Sequence, residues 1–229
     1  EGKHMKHLRI MKLTSFFQAS MVATFIWAFT CLSYAQNADD LLSRLSAEAK
    51  GYGSIQATYT SKLIDRASDF ESVQKGSIQI DGEQFHLDLG DYRIYSDGVT
   101  IWTYEVAVND CYVEDAEMMA EEGMDPSKLF TIWEDDFKNE WKGNVKINGK
   151  PVTHINLYPS GEKEKPFHTI QLYIDEANLR LVRAVVKGRE GTDVTYDVDT
   201  FQPNAAIETG LFKFDASQFP GVNVIDNRI

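Results

Sequence analysis

Cysteine is nearly missing from this chain: of 229 residues only Cys31 and Cys111 are of that type. A pattern of structural disulfides is therefore excluded, and any folded domain must be held by its core. Proline is also scarce. Its six occurrences, at 126, 151, 159, 166, 203 and 220, fall at turns or element starts, where they leave strands intact. The apolar run Met21–Leu32 is too short for a comfortable transmembrane helix, and no later segment approaches one. Basic charge is in deficit, with 23 Lys and Arg against 35 Asp and Glu. Nothing would neutralise phosphates or hold the chain on an anionic membrane surface, so nucleic acid is not expected as a partner.

Catalytic motifs are missing as well. HExxH, CxxC and GxSxG do not occur, and His86, His154 and His168 lie on separate segments without metal-ligand spacing. The carboxylate pairs Glu114-Asp115, Glu121-Glu122 and Asp135-Asp136 are sequence neighbours, which normally point apart. Cys111 stands between Asp110 and Glu114, and nearby carboxylates raise a thiol's pKa. These absences lead us to expect no enzyme, no cofactor and no metal.

What is present begins with a leader. Lys6, Arg9 and Lys12 precede the apolar run, and Ser33 and Ala35 occupy the minus-three and minus-one positions before Gln36. This is the three-part layout of a secretory signal peptide. We therefore expect residues 1–35 to be a signal peptide, cleaved near Ala35/Gln36, and residues 36–229 to be one exported domain. Cleavage removes four basic residues and one acidic one, leaving 19 against 34 and a net charge of −15.

The mature chain opens with helical spacing: Ala38, Leu41, Leu42, Leu45 and Ala49 share a face, Asn37 can cap, and Gly51 and Gly53 stop the helix. From Ser54 the period changes to two. Ile55, Ala57, Tyr59 and Leu63 alternate with Gln56, Thr58, Thr60 and Lys62. Strand runs follow at 73–80, 84–89, 92–96, 99–106, 110–114, 141–147, 152–158, 167–174, 179–187 and 192–201, with short closing strands at 211–214 and 222–225. Turns such as Asp81-Gly82, Asp97-Gly98 and Asn148-Gly149 are too short for crossover helices, so consecutive strands should be antiparallel neighbours. Between 115 and 141 the pattern breaks into an acidic helix at 116–122 and an apolar one from Asp125 to about Glu134, the second carrying Leu129, Phe130, Ile132 and Trp133. The expected fold is mainly β (α+β): a curved antiparallel sheet of about eleven strands forming an incomplete β-barrel, with an N-terminal helix and a short helical lid.

Apolar surface is in surplus. In Ser96–Tyr104, Trp102 and Tyr104 alternate with Val99 and Ile101, so both faces of that strand need cover. Together with Phe130, Trp133, Phe137, Trp141, Phe167, Phe201, Phe212, Phe214 and Phe219, this is much aromatic bulk for one β domain. Part of it can line a cavity. Val182, Ala184 and Val186 share a face suited to such a wall, and Trp102 is expected to look into it.

The helix Asp40-Leu41-Leu42-Ser43-Arg44-Leu45, the strand Ile55–Lys62, Gly76-Ser77-Ile78, the intact Ser96–Tyr104 run, Phe212-Lys213-Phe214 and Pro220–Asp226 occur in that order. In this order and spacing the mature chain resembles the periplasmic lipoprotein carrier family, LolA, over nearly its whole length. The resemblance implies a monomeric periplasmic carrier whose hydrophobic cavity takes the acyl chains of lipoproteins. Cargo would come from an inner-membrane ABC-type lipoprotein-releasing transporter and pass to an outer-membrane acceptor. The positions matching the family's cavity are Leu45, Leu63, Phe85, Ile132 and Ala184, with Trp102 close by; Phe130, Trp133, Val182 and Val186 complete the candidate lining. Family members carry an arginine after the Gly76 region that ties the lid shut, whereas this chain reads Ile80-Asp81-Gly82-Glu83 there. The same scaffold also serves lipid-responsive envelope sensors or adaptors, which is the alternative expectation.

Overall fold

The computed structural model describes residues 37–117, 130–134, 136–161 and 164–228. A helix, α1, occupies 37–50 and ends where the Gly51 amide returns to the Ala47 and Glu48 carbonyls. Twelve strands follow: β1 (Ile55–Asp65), β2 (Phe70–Asp81), β3 (Gln84–Asp88), β4 (Tyr92–Ser96), β5 (Thr100–Glu105), β6 (Asp110–Asp115), β7 (Phe137–Ile147), β8 (Lys150–Pro159), β9 (Phe167–Asp175), β10 (Arg180–Gly188), β11 (Thr192–Pro203) and β12 (Asn223–Asp226).

All twelve join one sheet in the order β12-β6-β5-β4-β3-β2-β1-β11-β10-β9-β8-β7. The sheet is curved and unclosed, with β12 and β7 as its edges, as expected for an incomplete barrel. It is not a single up-and-down series. One meander runs β1 to β6, a second runs β7 to β11, and the antiparallel β1–β11 pair joins them. The last strand, β12, lies parallel to β6 instead of antiparallel.

The two-residue period places the apolar set on one side. Ile55, Ile80, Phe85, Ser96 and Ile101 form one cross-strand row. Ser61, Tyr196, Ala184, Leu172, Ile155 and Trp141 form another on the same side. We call this the inner face, because α1 lies on it. There Ala38, Leu41, Leu42 and Leu45 pack with Ile155, Leu157, Ile170, Leu172 and Ile174. A second cluster gathers Ile55, Ala57, Ile78, Ile80 and Phe85, with Phe130 against them.

Gly76 fixes the curl at β2. A Cβ there would stand 2.4 Å from the Tyr59 ring and hydroxyl and 2.5 Å from the Asp88 carbonyl oxygen. Tyr59 lies across the bare glycine, and its hydroxyl donates to that carbonyl at 3.2 Å. The end of β3 is thereby drawn over the inner face.

Three further elements differ from expectation. Residues 211–214 form turns, closed by Leu211 and Lys213 amides on the Glu208 and Gly210 carbonyls, and Phe214 packs on Tyr95 and Tyr104 of the opposite, outer face instead of entering a ladder. Val99 sits at the β4–β5 turn tip and is 73% exposed, so it covers nothing. Of the expected lid helices, 118–129 lie outside the described residues. The described end is a turn at 130–131 followed by one 3-10 turn, Ile132–Glu134.

Gly76→Ala should lower stability by about 2 kcal/mol or more, because it overpacks a filled contact. An ordinary strand glycine would gain from the same change. Urea unfolding midpoints of the variant and of Tyr59→Phe, which loses only one hydrogen bond of about 1 kcal/mol, would separate the two effects.

Candidate functional site

β1 and β11 are the seventh and eighth of the twelve strands, the middle of the sheet. Central strands should be the best covered, and at their upper ends they are: Ile55 and Ala57 are buried. Further along β1, Tyr59, Ser61 and Leu63 are only half-buried. Their neighbours Val194 and Tyr196 on β11, and Ala184 and Val186 on β10, are half-buried too. Tyr59, Leu63, Val194 and Tyr196 belong to neither apolar cluster. A lane of apolar side chains thus runs between the two clusters. It continues without a break into the buried row Leu172–Ile155 beneath α1.

The lane is electrically quiet. Lys62, Arg183 and Lys187 fall on the outer face by register. There Arg183 Nε donates to Asp197 Oδ1 at 2.5 Å, and Asp193 is held by Arg66 and by Lys187 Nζ at 2.7 Å. From Tyr59 to Leu63 on β1 and from Val194 to Val198 on β11 the inward polar groups are hydroxyls, with Gln74 of β2 opposite Ser61. Ser61 Oγ donates to the Gln74 carbonyl at 3.3 Å, and burial pushes both Tyr59 and Tyr196 above the usual phenol range. Such a surface can accept an uncharged chain; it holds no acid–base pair.

The sequence-derived residues divide as follows. Leu63, Ala184 and Val186 line the lane. Leu45 and Trp133 are buried in the α1 cluster, with Ile132 half-buried against it, while Phe85 and Phe130 belong to the second cluster. Two expectations are corrected. Trp102 pairs with Tyr95, which pairs with His86, so it lies on the outer face; Ile101, paired with Ser96, is the inner residue. That outer face is roofed by Phe214 and Phe219, which contact Tyr95 and Tyr104. Val182 is displaced by a bulge between Leu181 and Arg183, and Leu181 takes the inner place opposite Ile174. Residues missed by sequence reasoning are Val194 and Tyr196, although Val194, Tyr196 and Val198 alternate on β11 as plainly as the β1 set does.

The segment 130–134 is fastened to α1 by two contacts. The Trp133 indole N–H donates to Ser46 Oγ at 2.7 Å and to the Leu42 carbonyl at 3.2 Å. Lys50 Nζ sits 2.7 Å from both Glu134 oxygens, and this hydrogen bond holds the Glu134 carboxyl below the usual carboxylate range. Two contacts one helical turn apart on α1 thus bind the segment to the helix.

Elsewhere little reactive chemistry is assembled. Cys111 is fully buried on β6, and burial pushes its thiol up to about 11. Among the described residues no group of three His, Cys, Asp or Glu could hold a metal ion.

The fold and the lane together define a helix-filled half-barrel with an apolar, partly open interior. The family model of the outer membrane lipoprotein carrier protein LolA matches residues 54–215, and the chain belongs to that family. No curated protein matches it. Among solved structures, an uncharacterised conserved protein from Thermus thermophilus aligns with a TM-score of 0.54 at 15% identity, over 83% of this chain and 99% of its own. The lipoprotein LppX of Mycobacterium tuberculosis aligns at 0.45 and 13% identity, over 74% of this chain and 98% of its own. A LolA superfamily protein of Nitrosomonas europaea aligns at 0.41 and 10% identity, over 78% and 98% respectively.

Trp133→Asp should fail to fold or lose about 3–5 kcal/mol, since it removes a buried aromatic and its hydrogen bonds. Ile132→Asp, at a half-buried position, should keep a cooperative transition. Thermal unfolding followed by circular dichroism checks the order; equal losses would contradict it.

Proposed function

We propose that this protein is an exported carrier that binds acyl chains of lipoproteins in the lane between its two core clusters. Its leader is removed near Ala35/Gln36, and the mature domain, 36–229, works as a monomer in the periplasm. It receives lipoproteins from an inner-membrane ABC-type transporter and yields them to an acceptor at the outer membrane. Its action is binding and release, without a covalent step.

The observation that carries this reading is the half-buried apolar lane at the middle of the sheet, in a chain of the lipoprotein carrier family. Each methylene taken from water into such a lane gains about 0.8 kcal/mol, so even a short buried stretch of chain binds usefully. The absence of inward cations along Leu63, Val194 and Val186 favours hydrocarbon over headgroup.

Native mass spectrometry with a triacylated lipopeptide, released from detergent, should give a one-to-one adduct. Val186→Asp or Leu63→Asp should weaken it about tenfold or more while leaving the unfolding transition cooperative, because both positions are half-buried. Ile155→Asp, in the fully buried row, should instead abolish folding. Failure of the wild-type protein to take up any acyl probe would end the reading.

A further inference from the structure

Among the inner-facing hydroxyls of β1 and β11, one is uncommitted within the lane itself. Tyr59 donates to the Asp88 carbonyl and Ser61 donates to the Gln74 carbonyl. Thr192 stands at the strand end. Tyr196 stands in the lane itself, between Ser61 on β1 and Ala184 on β10, with its ring edge-on to Tyr59 at 5.8 Å and 71°. Among the described residues its hydroxyl takes no partner, and the side chain is half-buried, so the hydroxyl is open to whatever enters the lane. An apolar chain that displaces water from this phenol removes its acceptor, at a cost in free energy unless the chain brings one of its own.

The chemistry of that acceptor is narrowed by charge. A free carboxylate would need a cation to offset its desolvation. Lys62, Arg183 and Lys187 are all turned outward. The remaining arginine of β10, Arg180, is exposed at the start of the strand and lies over the Phe201 ring at 5.5 Å, five residues further along β11 and roughly 15 Å from Tyr196. A neutral carbonyl needs no such partner and accepts one hydrogen bond well. Below Tyr196, Val194, Val186 and Leu63 offer only hydrocarbon.

We infer that Tyr196 is the polar anchor of the ligand site: its hydroxyl donates to the carbonyl oxygen of an ester- or amide-linked acyl chain whose methylenes lie along Leu63, Val194 and Val186. This rests on the carrier reading above and adds the feature of the cargo that is read, the acyl carbonyl. The tyrosine remains protonated and its donor intact throughout the neutral range, since burial has raised its pKa.

The test uses two probes of equal chain length, a diacylglycerol and its dialkyl ether analogue, each competing with a fluorescent acyl probe for the full mature protein. Wild type should bind the ester more tightly than the ether. Tyr196→Phe keeps the ring against Tyr59 and should weaken the ester about three- to tenfold, the worth of one hydrogen bond, while leaving the ether unchanged. Equal ester binding by variant and wild type, or equal loss of both probes, would overturn the anchor and leave the tyrosine a packing residue. If wild type binds neither probe, it is the carrier reading that falls. A second measurement is independent of the variant's folding: infrared spectroscopy of a 13C-carbonyl ester bound to wild type. A carbonyl band lowered relative to its position in hydrocarbon supports the bond, and a band at the hydrocarbon position refutes it.

Discussion

The structure depends on one close approach, that of Tyr59 and the Asp88 carbonyl over the bare backbone of Gly76. A sheet of twelve strands cannot remain flat, and where it bends is decided by which residues permit backbone to cross backbone. At Gly76 the missing side chain leaves room for the Asp88 carbonyl at the end of β3, and the Tyr59 hydroxyl donates to that carbonyl. The alternating apolar residues of β1, β2 and β3 then face inward toward α1 instead of toward solvent.

Among the described residues one long helix, α1, lies inside the curled sheet, and this leaves a covering problem. At 1.5 Å per residue, α1 over 37–50 is about 20 Å long, whereas strands spaced about 4.8 Å apart make a sheet of this size more than twice as wide. One helix cannot cover both halves. It seals the strands from β8 to β10, while Phe130 helps close β1 to β3. The lower half of β1 and the facing part of β11 are left between them. In a small core such a gap would be a defect of packing. Here it is continuous, apolar and placed at the centre, which is where a half-barrel can take up a chain without exchanging any of its own buried contacts.

Much of this was legible in the sequence. Period-two alternation placed Ile55, Ala57, Tyr59 and Leu63 on one face, and the Asn148-Gly149 turn is a hairpin with both residues at positive φ, as expected. Alternation says which residues share a face but not which face is inner. Ile101 and Trp102 are adjacent and both apolar, so only the pairing across the Asp97–Thr100 turn could decide between them, and it selects Ile101. The Val182 expectation failed for a related reason: a bulge resets the count at Leu181, and nothing in the residue types announces it. The lane was the least visible feature. Its residues read as ordinary core, and what sets them apart is the length of a helix relative to the width of a sheet.

The strands that line the lane also carry many charges, and their disposal follows from the same period of two. On β10 and β11 Ala184, Val186, Val194, Tyr196 and Val198 face inward, and the intervening Arg183, Lys187, Asp193 and Asp197 pair with one another on the outer face. A slip of one residue would turn those four inward and Val186, Val194 and Val198 outward. The buried Asp193, held by two cations, and the Arg183–Asp197 contact therefore resist the one register error that would put charge into the lane. These outer ion pairs add little stability as isolated surface contacts. Their larger effect is on which face the interior is made from, and so on keeping charge out of the lane.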